Sequence, residues 1–185
     1  MKIEPLTRAA WPAFETLMGP KGGYGGCWCM LWRKTKAEHD RDSGEVNRRD
    51  IARLAESELP PGLIALDGDR PAGWISVAPR DAFVRLESSR VLKPVDAQAV
   101  WSVSCFLIAK DYRRQGLAVR LLEAACDFVR RQGGTILEGY PIAPNKTPYP
   151  AAYAWTGFAS AFEKAGFEEV ARRSPTRPIL RRVLS

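Results

Sequence analysis

The sequence predicts an α/β fold. Runs rich in Val, Ile and Phe, which are typical of β-strands, alternate along the chain with segments whose apolar residues recur at helical spacing. The most strand-like run, residues 100–109, is followed within a few residues by the most clearly amphipathic segment, which begins after Gly116. A chain of 185 residues can bury a core without disulfide or metal support, so we expect one domain over residues 1–185.

The first hundred residues are predicted to contain a strand, two helices and a hairpin. Thr7 is typical of a helix N-cap, and the glycines that follow Met18 disfavour any regular element. The predicted order is a strand at 2–6, a helix from Thr7 to Met18, a glycine-rich stretch at 19–26, a helix from Ser43 to Ala55, a hairpin at 63–78 and one or two helical turns at 81–89.

The rest of the chain alternates strands with helices. Leu117, Leu121 and Phe128 share one face of the segment after Gly116, and a glycine pair ends that helix. The predicted order is a strand at 100–109, a helix at 117–132, a strand at 135–140, a proline-rich stretch at 141–150, a helix that contains Phe158, Phe162 and Ala165, and strands at 167–172 and 178–184.

The chain is basic, with 28 Lys and Arg against 21 Asp and Glu and a net charge of +7. This excess suits a partner with phosphate groups, either nucleic acid or a phosphorylated cofactor, but it also fits an ordinary solvated surface. The arginines occur as scattered pairs, with no basic tail and no basic stripe with interleaved aromatics. Nucleic-acid binding is therefore the least favoured function.

Simple counts exclude several other classes. No apolar run approaches the roughly 18 residues of a membrane span, and charge and proline interrupt the N-terminus before a signal-like stretch could form. His39 is the only histidine, which argues against multi-histidine metal sites and Ser-His-Asp triads. Four cysteines are too few for a disulfide scaffold and fit a reducing compartment, so we expect a cytoplasmic protein.

The stretch from Val103 to Ala118 carries the most chemical information, because it combines a strand, a basic turn, a glycine and a helix. The first amides of a helix lack intrahelical acceptors and lie at the positive end of the helix dipole, so they bind phosphate. Gly116 and Ala118 are small enough to let an anion approach the main chain, and Arg113 and Arg114 add positive charge. The alternative is a tight turn whose arginines face water.

At these residues the sequence resembles the GNAT N-acetyltransferase superfamily. The family signature is a strand ending in a (Q/R)-x-x-G-x-(G/A) turn that opens a helix, and Arg113-x-x-Gly116-x-Ala118 matches it. Residues 161–167 resemble the family's (L/M)-Y-E-K-x-G-F segment, where the last helix meets the next strand. The resemblance implies a three-layer α/β fold whose central mixed, mostly antiparallel sheet is splayed between two central strands, here 100–109 and 135–140.

The resemblance also implies acetyl-coenzyme A as co-substrate, an amine acceptor on a small molecule or peptide, and no metal. The pantetheine arm would pair with the strand edge at Phe106, Leu107 and Ile108, and an amide near Ile108 would stabilise the oxyanion formed by direct attack of the amine. The residues implied to bind the diphosphate are Arg113, Arg114, Gln115, Gly116, Leu117, Ala118 and Val119.

The sequence departs from the family at Phe162, where many members have a tyrosine that acts as general acid. A primary amine, with a pKa of about 10.4, must still lose a proton before it attacks. We therefore predict Glu138 as the base and Tyr140 as the second catalytic residue, with Tyr153 and Cys105 as further candidates. The alternatives are an ion-pair or surface role for Glu138 and packing roles for the others. A coenzyme A-binding sensor or subunit without turnover is the corresponding alternative function.

The Cys27-Trp28-Cys29 segment does not predict a metal site, because its spacing is one residue shorter than the C-x₂₋₄-C pairs of zinc sites. In the family this region usually shapes the acceptor pocket, so Trp28 and Trp32 are predicted either to line that pocket or to cover the core. Residues 19–32 and 141–150 should decide the acceptor, which the sequence does not specify. The sequence also leaves the oligomeric state open, a homodimer included.

Overall fold

A computed structural model describes the whole chain except residues 146–148 and 151–152. The strands are β1 (Lys2–Pro5), β2 (Gly62–Asp67), β3 (Arg70–Pro79), β4 (Trp101–Ile108), β5 (Ile136–Gly139), β6 (Glu168–Arg172) and β7 (Pro178–Val183). They form one open mixed sheet in the order β1-β2-β3-β4-β5-β7-β6. The neighbours β4 and β5 run parallel, and the other neighbouring pairs are antiparallel.

Helices cover both faces of this sheet. In the described ranges they are α1 (Trp11–Met18), α2 (Lys36–Asp42), α3 (Glu45–Ala55), α4 (Val84–Glu87), α5 (Leu117–Arg131) and α6 (Ala159–Lys164). Leu121 of α5 and Phe162 of α6 join the core on one face, whereas Phe14 of α1 and Ile51 of α3 pack with Trp74 on the other. The predicted three-layer α/β fold is therefore confirmed. None of the described helices is long and apolar enough to cross a membrane.

Helix α2 is a helix that apolar spacing does not predict. Thr35 caps it, because its hydroxyl accepts from the Glu38 amide at 3.3 Å while Glu38 Oε2 accepts from the Thr35 amide at 2.8 Å. The seven residues of α2 include one apolar side chain, Ala37, so periodicity cannot reveal it. The next helix, α3, begins two residues after the predicted Ser43, whose hydroxyl instead donates to the Gly25 carbonyl at 2.6 Å.

The sheet is splayed because β4 contains a bulge. Ser76 of β3 pairs with Cys105 and Val77 pairs with Val103, so Ser104 is an extra residue in β4. A bulge of this kind bends its strand and increases the local twist. Strand β5 pairs with β4 only before the bulge, whereas β3 stays paired to the end of β4. The two central strands therefore diverge after the bulge, as predicted.

A buried lysine anchors the segment between α1 and α2. Lys34 is 8% exposed, and its ammonium group donates to Asp42 Oδ2 at 3.0 Å and to Asp50 Oδ2 at 2.6 Å. The Arg41 guanidinium also donates to Asp42, at 2.7 Å. These carboxylates of α2 and α3 fix the course of the chain directly after the aromatic residues 28–32.

Replacing Asp42 with asparagine is expected to lower the thermal unfolding midpoint at pH 7 and to lose this effect in acid. Hydrogen bonds from Arg41 and then Lys34 lower the pKa of Asp42 from 3.8 to about 2. A carboxyl whose pKa is lower in the folded chain stabilises the fold above its unfolded pKa, and this contribution disappears as the pH falls towards the folded pKa. Thermal unfolding at pH 7, 4 and 3 measures the effect.

The control for this prediction is Asp40→Asn, since Asp40 is an exposed α2 carboxylate whose contacts are with the exposed Lys36 and, at 3.9 Å, with His39 Nδ1. It should change the unfolding midpoint little at any of these pH values. Equal effects of the two substitutions at pH 7 would contradict the anchoring role of Asp42.

Candidate functional site

The turn between β4 and α5 has a conformation that exposes its main chain. Arg114 (φ 60°) and Gly116 (φ 78°) both lie in the left-handed region. Glycine adopts this region without steric cost, and a Cβ atom at Gly116 would meet no atom within 4 Å. The space beside Gly116 is therefore open to a ligand.

The amides at the start of α5 have no acceptor in the described part of the chain. No backbone or side-chain acceptor is bonded to the amides of residues 114–118. This run includes Gln115, Leu117 and Ala118, and their role in binding a diphosphate stays a prediction. The amide of Val119 differs, because it donates to the Gly116 carbonyl at 3.1 Å. The free amides are therefore those of residues 114–118, and the assignment of Arg113 and Val119 to the cofactor site stays a prediction.

The hairpin between β2 and β3 positions this turn. The Tyr112 hydroxyl donates to Asp67 Oδ2 at 3.0 Å, and Arg70 Nη2 donates to Asp111 Oδ2 at 2.8 Å. Both contacts are exposed, so they contribute orientation more than stability. Arg113 and Arg114 are left outside these pairs.

The edge of β4 after the bulge faces the gap between the splayed strands. The Phe106 amide donates across this gap to the Trp155 carbonyl at 2.6 Å. Main-chain groups alternate in direction along a strand, so those of Ile108 also face the gap while those of Leu107 face β3. The Ile108 carbonyl accepts from Arg113 Nε at 3.0 Å. Pantetheine pairing along this edge stays a prediction, because at Phe106 it requires the Trp155 carbonyl to leave.

Phe162 closes the gap on the side of α5 and α6. Its ring is fully buried and meets the ring of Phe106 edge-on, with the centroids 5.9 Å apart. Phe162 also fills the space that a side chain at Gly139 would need, since a Cβ atom there would lie 2.0 Å from Phe162 Cε1. The position that many family members give to a tyrosine is therefore a packing position in this chain.

Glu138 lies at the centre of a buried hydrogen-bond network on the opposite face of β5. Its side chain is fully buried, and Oε1 accepts from Arg80 Nη1 at 3.1 Å and from the Tyr140 hydroxyl at 2.6 Å. Oε2 accepts from Arg181 Nε at 2.6 Å. The Tyr140 hydroxyl also lies 2.8 Å from the Ser102 hydroxyl. Both carboxylate oxygens are thus occupied, and this geometry fits the ion-pair alternative for Glu138.

The outer ends of this network reach the surface. Arg181 makes a two-pronged contact with Asp96, at 2.6 and 3.1 Å, and Arg80 Nε donates to Glu87 at 3.1 Å. The hydrogen bonds from Arg181 lower the pKa of Asp96 from 3.8 to about 2. Arg80 also donates to the Leu92 carbonyl at 2.8 Å. The network therefore ties the segment between β3 and β4 to β5 and β7.

Tyr140 is held as a neutral phenol. Burial, and then the neighbouring carboxylate of Glu138, raise the pKa of Tyr140 well above its ordinary value. The side chain is 2% exposed, so its proton has no direct path to solvent. The catalytic roles of Glu138 and Tyr140 stay predictions, and the other tyrosine candidate, Tyr153, is 62% exposed.

The cysteine candidate contacts another thiol. Cys105 Sγ lies 3.4 Å from Cys29 Sγ, which also accepts from Trp74 Nε1 at 3.2 Å. The contact with Cys29, and then burial, raise the pKa of Cys105, so its thiol stays protonated at neutral pH. Burial also raises the pKa of Cys27 to about 11. Within the described ranges, no three His, Cys, Asp or Glu side chains are arranged to hold a metal ion.

The two tryptophans of the aromatic segment have different environments. Trp28 is 7% exposed and packs on Phe14 in the core, with the ring centroids 6.3 Å apart. Trp32 instead packs against Trp155 at 5.9 Å. Because the Trp155 carbonyl bonds to Phe106, Trp32 lies beside the gap between the splayed strands.

Comparison of the chain with known proteins identifies its family. A sequence model of the Acetyltransferase (GNAT) family matches residues 27–147. The chain belongs to the GNAT family. That match covers the aromatic segment, the splayed strands and the turn that opens α5 of this GNAT acetyltransferase. A search of curated protein sequences found no match.

Solved GNAT structures share its fold. One is a GNAT acetyltransferase from Listeria monocytogenes, with 10% identity and a TM-score of 0.59; the match covers 99% of this chain and 94% of the Listeria chain. A second is the PaiA N-acetyltransferase of Thermoplasma acidophilum in complex with coenzyme A, with 13% identity and a TM-score of 0.55; the match covers 98% of each chain. A third is an aminoglycoside 6′-N-acetyltransferase complexed with coenzyme A, with 12% identity and a TM-score of 0.57; the match covers 100% of this chain and 98% of the other. At these identities the likeness shows the fold alone.

Sequence reasoning missed three residues that shape the site of this GNAT domain. Arg80 and Arg181 hold Glu138, and Trp155 occupies the Phe106 amide. An arginine next to an apolar run is far more often exposed than buried, so neither arginine stands out locally. Trp155 follows the proline-rich stretch, where no periodic pattern indicates its position.

Proposed function

We propose that this protein transfers the acetyl group of acetyl-coenzyme A to a primary amine of a small molecule or peptide. The observation that carries the proposal is the run of unbonded amides at residues 114–118, at the start of α5 and beside the gap between β4 and β5. The coenzyme A in two structures of the same fold supports it.

The turn suits a diphosphate in charge and in shape. Free amides at the positive end of a 15-residue helix attract oxyanions. Arg113 and Arg114 add positive charge to the same turn, where Arg113 Nε donates to the Ile108 carbonyl at 3.0 Å. Gly116 leaves the approach open, because no side chain covers its main chain. The Ile108 amide faces the gap and can bind the pantetheine arm.

The chemistry would be direct transfer. The amine nitrogen forms a bond to the thioester carbonyl carbon and gives up a proton, while the C–S bond breaks and coenzyme A leaves as the thiolate, which takes up a proton from solvent. A β4 amide in the gap, at Phe106 or Ile108, would stabilise the negative charge that develops on the carbonyl oxygen. Glu138 could take the amine proton directly only if the substrate displaced Arg80 or Arg181 from its carboxylate. Water is therefore the simpler acceptor of that proton.

Gly116→Glu is expected to weaken coenzyme A binding at least about tenfold, as measured by calorimetric titration, because its carboxylate would repel the diphosphate. Gly133→Glu is the matched control. Gly133 lies at the other end of α5, also has a left-handed backbone (φ 79°) and also has open space around it. It carries the same backbone strain and the same added charge, so its affinity for coenzyme A should stay close to the wild-type value. Equal affinities of the two variants would contradict the assigned diphosphate site.

Coenzyme A binding without turnover is the second candidate function. It is favoured by Phe162, which has no proton to give, and by the Trp155 carbonyl, which holds the Phe106 amide. Release of free thiol from acetyl-coenzyme A in the presence of a panel of amines separates the two functions. Thiol release with any amine supports transfer, whereas binding without release for every amine supports the second function.

A further inference from the structure

The loop after β5 and the turn between β6 and β7 enclose a cavity of about 350 Å³. The Ala143 amide donates to the Thr176 carbonyl at 3.0 Å, which joins the two segments. A cavity of this volume can hold a small organic molecule. The described residues that line it are Ile142, Pro144, Asn145, Tyr149, Thr176 and Arg177.

Arg177 is the charged residue in this lining, and no carboxylate neutralises it. Within the described ranges no carboxylate oxygen lies within 4.0 Å of its guanidinium group, and Glu169 of the neighbouring strand binds Arg172 instead. The five residues outside those ranges have no carboxyl side chain. Burial lowers the pKa of Arg177, but an arginine stays protonated at neutral pH. A partly buried cation without a counter-ion favours the binding of an anion.

The guanidinium group of Arg177 is accessible from the cavity. The side chain is partly exposed and lines the cavity wall, so a solute can reach it. Its side-chain hydrogen bond to a described residue is a long one, from Nη1 to Thr156 Oγ1 at 3.3 Å. A hydrogen bond of this length leaves donors of the guanidinium group for a ligand.

The cavity adjoins the gap between the splayed strands. Thr156, which Arg177 contacts, directly follows Trp155, whose carbonyl bonds across the gap to β4. Ile142 of the cavity wall is paired with the same segment, because its amide donates to the Gly157 carbonyl at 2.8 Å. A molecule that fills the cavity can therefore extend to the edge of β4.

The cavity and the candidate diphosphate turn lie on opposite sides of this gap. Residues 114–118 follow β4, whereas the cavity is formed by the chain that follows β5 and precedes β7. The strands β4 and β5 are neighbours in the sheet and pair only before the bulge. An anion at Arg177 is therefore expected to belong to the acceptor and not to the diphosphate.

We propose that Arg177 binds an oxyanion of the acetyl acceptor in this cavity, so that the acceptor is an amine that also has a carboxylate or phosphate group. This inference rests on the proposed acetyl transfer. A guanidinium group presents paired N–H donors that match two oxygens of a carboxylate or phosphate. Tyr149, whose ring meets that of Phe158 edge-on at 6.0 Å, would flank the carbon skeleton that joins the oxyanion to the amine.

The kinetic test compares amines that differ only in the anionic group. Thiol release from acetyl-coenzyme A is measured with β-alanine against β-alaninamide, and with phosphoethanolamine against ethanolamine. We expect the wild-type kcat/KM to be at least about tenfold higher for the anionic member of one pair, and that pair identifies the oxyanion. Equal values within both pairs would overturn the proposal.

Arg177→Gln should reduce this preference towards one. The preference is a ratio of two rates of the same protein, so a smaller folded fraction of the variant does not change it. Arg172→Gln is the matched control, because Arg172 is an exposed arginine at the other end of the same turn that binds Glu169 and does not line the cavity. Arg172→Gln should keep the preference, and a preference that survives Arg177→Gln would contradict the assignment.

A second measurement distinguishes the acceptor from coenzyme A as the source of the oxyanion, because coenzyme A has a phosphate group besides its diphosphate. Calorimetric titration compares the affinity of coenzyme A for the wild type and for Arg177→Gln. We expect the two affinities to agree within about twofold. A loss of about tenfold or more in Arg177→Gln would assign the oxyanion to coenzyme A and overturn the proposal.

A third measurement does not depend on turnover. Thermal unfolding is followed with sodium succinate or sodium phosphate against sodium chloride at equal ionic strength, with saturating coenzyme A present so that the diphosphate site is occupied. One of the two oxyanions should raise the midpoint of the wild type more than that of Arg177→Gln. Equal shifts in the two proteins would overturn the oxyanion site, whereas absence of thiol release with every amine would count against the proposed acetyl transfer.

Discussion

Glu138→Gln is expected to destabilise the protein by about 3–5 kcal/mol, because it removes the negative charge from between two buried guanidinium groups. Arg80 and Arg181 are each 8% exposed, and both bind the Glu138 carboxylate. A glutamine amide can replace some of the hydrogen bonds but not the charge. Equilibrium urea unfolding at pH 7 gives the free energy of unfolding directly.

The matched control is Glu87→Gln, which makes the same substitution on another partner of Arg80. The Glu87 side chain is 55% exposed, so water can replace its contact with Arg80. Its loss should cost under about 1 kcal/mol. The contrast between the two variants isolates the effect of burial from the effect of losing a partner of Arg80.

The Glu138→Gln variant also separates the two roles predicted for Glu138, ion pairing and general base catalysis. If Glu138 supports the splayed strands through its ion pairs, Glu138→Gln loses stability, and residual thiol release keeps the pH dependence of the wild type. If it is also the general base, thiol release per folded molecule falls sharply in Glu138→Gln, beyond the loss that its lower stability explains. A stable, inactive Glu138→Gln protein would thus contradict the structural role.

The fold is predictable from the sequence because its signals are local. The apolar periodicity of α5, the Val, Ile and Phe residues of β4 and the Arg113-x-x-Gly116-x-Ala118 turn are each contained in a short stretch of the sequence. The splay of the sheet is predicted only through the resemblance to the GNAT family. Its physical cause, the bulge at Ser104, has no signature in the sequence. Helix α2 escapes prediction for the opposite reason, since it is set by the cap at Thr35 and carries almost no apolar pattern.

The candidate site also has one part that local sequence predicts and one part that depends on contacts between distant residues. The free amides follow from a helix start that the sequence shows, whereas the partners of Glu138 are contributed by β7 and by the segment after β3. Arg181 is 43 residues from Glu138, and strand alternation shows only that Glu138 and Leu137 point to opposite faces. Whether a buried carboxylate meets guanidinium groups or a substrate depends on tertiary pairing, which one sequence does not contain.

Gly139→Ala is expected to destabilise the protein by about 3 kcal/mol or more, at the upper end of the cost of overpacking a core. The backbone of Gly139 is not left-handed, so alanine brings no conformational strain there, and the cost comes from contact alone. The new methyl group would lie 2.0 Å from Phe162 Cε1 and 2.7 Å from Cζ. Phe162 is fully buried against Phe106 and Phe167, so its ring cannot move aside freely.

A double-mutant cycle with Phe162→Leu tests this cause. Leucine lacks the ring edge that fills the Gly139 space, so the double variant should be at least about 1 kcal/mol more stable than the sum of the two single effects predicts. Gly73→Ala on β3 is the control, because its methyl group would meet the flexible ends of Leu117 and Leu121, at 3.0 and 3.3 Å, and the Leu107 carbonyl oxygen at an ordinary contact distance of 3.5 Å. It should cost under about 1 kcal/mol. Strict additivity of Gly139→Ala and Phe162→Leu would show that the Phe162 ring does not fill this space. Favourable coupling would show that the Phe162 ring fills the space beside Gly139 of β5.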